Sequence, residues 1–336
     1  MPRLRRSDCA SPGIGRRRRG RGVEYIDPDG ARVDDPEVLS RIRELAIPPA
    51  WREVWICLDP RGHLQATGID AAGRKQYLYH DRWRAHRDRI KFDSMTSFGR
   101  ALPKLRGRVA KDLRGEQLTR ARVLACVVRL LDLGFFRIGS EDYAERNESY
   151  GLSTMLKRHV SVQDGALLFD YAGKSGVRRV QEIRDDDALG IVASLKARRG
   201  GGAQLFAYRS DRGWADIHPE DVNDYVKQAS GGEFTAKDFR TWNATVLAAV
   251  ALAVPEVPSS RTAREHVVRD AVKTVAAYLG NTPAVCRASY IDPRVIDRYR
   301  AGVTISDALA GSRGGPDLDD KRTRKRVELA VLELLD

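Results

Sequence analysis

Apolar residues in this chain keep one period up to about residue 91 and another from about residue 97, and that change divides what it can fold into. Val54–Leu58, His63–Thr67 and Lys75–His80 are short β-like runs separated by Gly, Asp and Pro turn signals. Residues 23–91 therefore read as a small β-rich N-terminal domain. From Ser97 the spacing becomes helical: Val123, Leu124, Val127, Leu130, Leu131 and Gly134 follow i, i+3, i+4, i+7. Alternation returns between Arg158 and Ile183. There Asp164-Gly165 is a two-residue hairpin signal, and Gly173-Lys174-Ser175-Gly176 forms a second tight turn. The expected fold class is α+β, with residues 92–336 a mainly α-helical domain that contains a three-stranded antiparallel sheet.

The later helices carry their own punctuation. Thr235-Ala236-Lys237-Asp238 resembles a capping box with Asp in place of Glu, and Pro255 follows the helix it opens. Thr262-Ala263-Arg264-Glu265 reads as a full capping box, with Gly280 as the stop. Thr282-Pro283 reads as the N-cap and first position of a short helix that carries Tyr290. Lys321–Leu335 is amphipathic, and no internal repeat is visible.

Charge narrows the partners. Lys and Arg number 59 against 46 Asp and Glu, a formal net charge of +13. Basic chains seek polyanions, of which nucleic acid is the commonest. Residues 1–22 hold eight arginines and one aspartate, a net of +7, so the rest of the chain carries +6. This segment reads as a disordered basic arm with order beginning near Val23. The longest apolar stretch, near Val246–Val254, is too short to span a membrane, and the N-terminus lacks the apolar core of a secretory signal. Cys9, Cys57, Cys126 and Cys286 are widely spaced, which argues against a disulfide framework or a metal site and fits a reducing cytosol. The histidines at 63, 80, 86, 159, 218 and 266 are scattered. Gly173-Lys174-Ser175 is not a phosphate loop, because Leu168 stands where that motif needs glycine and a hairpin precedes it.

A phosphodiester can be cut without a metal by four kinds of group. These are a nucleophile, cations for the phosphorane, an acid for the leaving oxygen, and grips on flanking phosphates. Arginine suits the second role, since its fork matches two phosphate oxygens and it stays charged. Lysine suits the third and tyrosine the first. Arg137, Lys174, Arg240 and Tyr290 are the candidates. Each has an ordinary alternative: a helix-end arginine on carbonyls, a solvated turn lysine, a helix-start cation, a half-buried packing tyrosine.

Taken in order, the segments resemble type IB DNA topoisomerases, in particular their short bacterial and poxvirus-like branch. Gly134-Phe135-Phe136-Arg137-Ile138-Gly139 looks like the first-arginine motif, and Glu148–Thr154 like the stretch after it. Phe169–Gly176 resembles the lysine hairpin, Lys237-Asp238-Phe239-Arg240-Thr241-Trp242 the second-arginine helix, and Leu279–Pro293 the tyrosine segment. Gly73–His80 is similar to a DNA-contacting strand, so the likeness covers roughly residues 23–336. It implies the tyrosine recombinase/topoisomerase IB catalytic fold and a monomer clamping double-stranded DNA between two lobes, with no membrane association and a cytoplasmic, nucleoid-associated setting. It implies that Tyr290 attacks the scissile phosphate, giving a 3′-phosphotyrosyl bond and a free 5′-hydroxyl. Arg137 and Arg240 would stabilise the phosphorane and Lys174 would protonate the leaving oxygen, with no cofactor, ATP or metal. Gln76, Tyr77, Tyr79 and Lys237 become DNA-contact candidates.

One position departs from that pattern: Asn281 stands where many members have histidine, nine residues before the tyrosine. An amide still donates a hydrogen bond but supplies no cation. Two other readings share features with this one. A tyrosine recombinase uses the same chemistry, but its second arginine normally sits in H-x-x-R, whereas here the motif is Lys237-x-x-Arg240. A non-catalytic DNA-binding protein would use the same charge and the Tyr77/Tyr79 pair.

Overall fold

A computed structural model describes residues 3–20, 22–310 and 316–336, with Tyr143 described by its backbone alone. The chain divides into two compact units, Met1–Phe92 and Asp93–Asp336. The first holds β1 (Ile14–Arg19), β2 (Gly22–Ile26), α1 (Pro36–Glu44), β3 (Arg52–Ile56), β4 (Leu64–Ile69) and β5 (Lys75–Tyr79). The strands form one antiparallel sheet in the order β2-β1-β3-β4-β5. α1 starts where the Asp35 carboxylate accepts from the Glu37 and Val38 amides, with Pro36 preset for the first helical position. Ile42 of α1 is buried with Ile14, Ile47, Val54, Ile56 and Ala66, and Leu78 packs against them.

The sheet corrects the reading of residues 1–22 as a disordered arm. Ile14 is buried, and residues 15–19 pair with residues 22–26 in register. The Arg16 guanidinium donates to the carbonyls of Ile47, Pro48 and Trp51 at 3.2, 3.0 and 2.7 Å. Arg19 pairs with Glu24 at 3.3 Å. An arginine run can be a strand when one buried apolar residue anchors it and carbonyls meet its donors; composition alone hides this. Met1, Pro2 and Arg21 lie outside the described residues.

α2 (Asp81–Asp112) begins in the first unit and is helical well before Ser97. The second unit continues with α3 (Arg120–Leu133), α4 (Glu141–Asn147), β6 (Val160–Gln163), β7 (Ala166–Ala172), β8 (Arg178–Ile183) and α5 (Asp186–Ala197). A hairpin that the pattern did not suggest, β9 (Ala207–Ser210) and β10 (Gly213–Asp216), precedes α6 (Pro219–Ser230). Then come α7 (Ala236–Ala253), α8 (Arg261–Leu279), α9 (Pro283–Ser289), α10 (Pro293–Arg300) and α11 (Lys321–Leu335). β6, β7 and β8 form the three-stranded antiparallel sheet, and Asp164 and Gly165 both take the positive φ its two-residue turn requires. The N-cap of α8 is Ser260, not Thr262; its hydroxyl accepts from the Ala263 amide at 3.1 Å.

The helices gather around Phe98, Val127, Leu130, Phe239 and Trp242, all fully buried. Beside them lies a dense ion cluster. Arg106 of α2 reaches both oxygens of Asp132 at 2.9 Å and both of Glu328 at 2.6 and 2.7 Å. Arg324 adds a bond to Asp132 at 2.9 Å. Burial would raise the Asp132 carboxyl, but Arg324 and Arg106 overcome it and hold it at about 2. The cluster fixes α11 against the end of α3, just before the chain leaves for Arg137.

Candidate active site

Arg137 sits on the loop that follows α3. Its carbonyl accepts from the Leu152 amide at 2.9 Å, and the Ile138 carbonyl accepts from Ser153 at 2.7 Å. This is why the stretch 148–154 accompanies the arginine motif: it is the wall on which the arginine loop lies. The approach is too close for side chains. A Cβ on Gly151 would lie 2.3 Å from the Gly139 nitrogen, and Gly139 itself takes φ +98°.

Lys174 stands exposed at the tip of the β7–β8 hairpin. The tip closes through Gly173 N–H to the Val177 carbonyl at 2.8 Å and Gly176 N–H to the Gly173 carbonyl at 3.0 Å. Ser175 and Gly176 both have positive φ, so the lysine is aimed by a tight turn.

Arg240 lies one turn inside α7, past the first-turn position expected of it. The Asp238 carboxylate opens that helix by accepting from the Thr235 amide and hydroxyl at 2.7 and 3.0 Å. Arg240 is 4% exposed. It donates to the Phe135 carbonyl and, at 3.0 Å, to the Leu279 carbonyl, while its buried Nε has no hydrogen-bond partner among the described residues. Burial, reinforced by the like charge of Arg137, pushes its guanidinium below the ordinary arginine range, and Tyr290 opposes the shift.

Tyr290 caps the end of α9, a helix started by the Thr282 hydroxyl and Pro283. Its ring centroid is 5.4 Å from the Arg240 guanidinium carbon. Thr245, fully buried one turn beyond Thr241, holds the tyrosine's backbone. Its hydroxyl shares one proton between the carbonyls of Thr241 (2.9 Å) and Tyr290 (3.3 Å) and accepts from the Asp292 amide at 3.1 Å. The sequence reading missed this residue; two threonines four apart on the buried side of α7 were the available signal.

Asn281 follows Gly280, the left-handed residue that ends α8. Its Oδ1 accepts from Arg137 Nη2 at 2.6 Å, and its Nδ2 is buried with no hydrogen-bond partner among the described residues. The oxygen is committed to Arg137, so the free end of the amide is a donor.

Arg137, Lys174, Arg240 and Tyr290, drawn from four separate segments, line one open cavity of about 320 Å³ with Lys237, Ser149 and Tyr150. Four cations line it and no carboxylate does. The remaining DNA-contact candidates belong to the first unit. Tyr77 and Tyr79 are exposed on one face of β5, 6.2 Å apart and stacked. Gln76 points to the other face, and its amide donates to Asp70 at 2.8 Å.

Comparison with known proteins places the chain in a family. The family model described as the catalytic core of eukaryotic DNA topoisomerase I matches residues 80–306, and that of the N-terminal domain of bacterial DNA topoisomerase IB matches residues 22–70. DNA topoisomerase 1B of Acanthamoeba polyphaga mimivirus is 32% identical over 297 residues, covering 86% of this chain and 88% of the relative. DNA topoisomerase 1B of Vaccinia virus (strain Copenhagen) is 22% identical over 240 residues, covering 70% of this chain and 72% of the relative. The match spans both units and contains all five side chains described above, and the chain belongs to the type IB DNA topoisomerase family.

Proposed function

We propose that the cavity receives one phosphodiester of duplex DNA and that Tyr290 cuts it, so that supercoils relax before the strand is resealed. The carrying observation is a cavity lined by four cations and no acid, with buried, unpartnered donors at Arg240 Nε and Asn281 Nδ2 beside it. Buried donors without partners are costly and call for an acceptor. A phosphate has the right charge and enough oxygens to satisfy several of them.

In this reading the Tyr290 phenol gives its proton to solvent water, and its oxygen bonds to phosphorus as the bond from phosphorus to the 5′-oxygen breaks. Lys174 gives its proton to that oxygen, leaving a 3′-phosphotyrosyl bond and a 5′-hydroxyl. Arg137, Arg240 and Asn281 Nδ2 face the phosphorane oxygens, where fixed donors lower the barrier most. The hydroxyl later attacks the same phosphorus and expels the tyrosine, so the bond's energy is conserved. That the helical unit has the tyrosine recombinase-like catalytic fold is part of this proposal, supported by the three-stranded sheet that delivers Lys174. All five side chains belong to one chain, which supports action as a monomer.

Relaxation of supercoiled plasmid tests the reading. Tyr290→Phe should lower the relaxation rate by more than about 10³-fold, since loss of a nucleophile has cost that much or more elsewhere. Relaxation within about twofold of the unmodified protein would remove Tyr290 from the chemistry.

A further inference from the structure

Arg179 of β8 lies outside the cavity lining, yet it touches the supports of two residues that serve the site. It is paired across the strands with Tyr171, close to the hairpin tip. Its Nη1 donates to the Ala277 carbonyl at 3.2 Å, and its Nη2 donates to the Tyr278 carbonyl. These are last-turn carbonyls of α8, where a cation meets the negative end of the helix dipole; the Ala277 carbonyl also accepts from the Gly280 amide at 3.2 Å. The side chain threads between two glycines. A Cβ on Gly173 would lie 2.9 Å from its Cγ, and one on Gly280 would lie 2.6 Å from its Nη1. Gly173 immediately precedes Lys174, and Gly280 immediately precedes Asn281.

We infer that Arg179 is a positioning residue that docks the lysine hairpin onto the end of α8, so that Lys174 is held at the phosphate. The inference rests on the reading of Lys174 as the acid. Arg179 does not line the cavity, so it is not itself placed as a phosphate ligand. The two sides of the dock are unequal. α8 is fixed by buried Val268, Val275 and Leu279, whereas Lys174, Ser175, Gly176 and Val177 are all exposed. When the dock is lost, the hairpin moves and α8 stays.

The test compares single-turnover cleavage of two duplexes, one ordinary and one with sulfur at the bridging 5′ position. A thiol's pKa lies near 8.5, so the thiolate departs without a donated proton. Arg179→Met keeps a stem between the glycines but no donors. It should slow the oxygen substrate by about 10- to 100-fold, the scale of a misplaced catalytic group, and the sulfur substrate by less than about threefold. Arg179→Lys, with one ammonium for two carbonyls, should fall between. Equal slowing on both substrates, or slowing of the oxygen substrate by less than about threefold, overturns the inference. Lys174→Ala tests the underlying reading on its own: without recovery on sulfur, Lys174 is not the acid. Amide hydrogen exchange then decides the dock independently of the chemistry. In Arg179→Met the amides of residues 173–177 should exchange at least about tenfold faster with α8 unchanged, and an unchanged hairpin refutes the dock.

Discussion

At the residue scale, Asn281 shows how a neutral side chain serves a cationic site. Arg137 takes the amide oxygen, which leaves the amide nitrogen buried and unpartnered. In the bound state that nitrogen would donate to a nonbridging phosphate oxygen. Asn281→Ala should slow single-turnover cleavage at least about tenfold, toward the 10²–10³ typical of a lost oxyanion donor. A rate within about twofold of the unmodified protein would exclude it from the site. Asn281→Asp should be at least as slow as the alanine variant, because it adds an anion where the phosphate must sit and pairs with Arg137. Glycines act at the same scale. Gly139 and Gly151 let the arginine loop lie on its wall, and Gly173 and Gly280 make room for Arg179.

At the scale of elements, the Asp132 cluster links α2, α3 and α11 behind the site. The Asp132 carboxyl lies below its unfolded value of about 4, so it contributes stability above that pH, and the contribution fades as pH falls toward 2. Urea midpoints should therefore drop between about pH 4 and pH 2. Asp132→Asn should lose about 3 kcal/mol near neutral pH, the lower end for breaking a buried pair, because Arg106 and Arg324 each lose one carboxylate and keep Glu328, and should flatten that acid limb. An unchanged midpoint at neutral pH would mean the cluster adds nothing to the fold.

Elements also show what the sequence made legible. Helix ends with strong local chemistry were readable: Thr282-Pro283 before α9, Gly280 after α8, and Lys321–Leu335 as the last helix. So was the Asp164-Gly165 turn. β1 was not, because four arginines in a row look solvated and their carbonyl partners at 47–51 are distant in sequence. The true cap of α8 was missed because Ser260 and Thr262 offer competing hydroxyls and only geometry chooses between them.

At the scale of the whole molecule, Arg137, Lys174, Arg240 and Tyr290 were legible because each sits in a motif, and the motifs come in order. Arg179 and Thr245 were not, since their partners are backbone atoms of other elements. The chain's +13 charge makes a separate prediction. Phosphate contacts release counterions, so affinity for duplex DNA should fall at least about tenfold between 50 and 200 mM salt. A flat binding constant over that range would contradict an interface built on phosphates.

The proposed chemistry turns on a covalent bond from Tyr290 to a 3′-phosphate. The direct measurement is to denature a cleavage reaction on duplex DNA, digest the protein with trypsin, and locate the nucleotide-bearing peptide by mass spectrometry. Residues 288–294, Ala-Ser-Tyr-Ile-Asp-Pro-Arg, follow Arg287, end on Arg294 and contain one tyrosine. The phosphodiester adduct is expected on that peptide, at Tyr290, joined to the 3′ end of the cut strand. An adduct on another residue, or one joined through a 5′-phosphate, would contradict that chemistry.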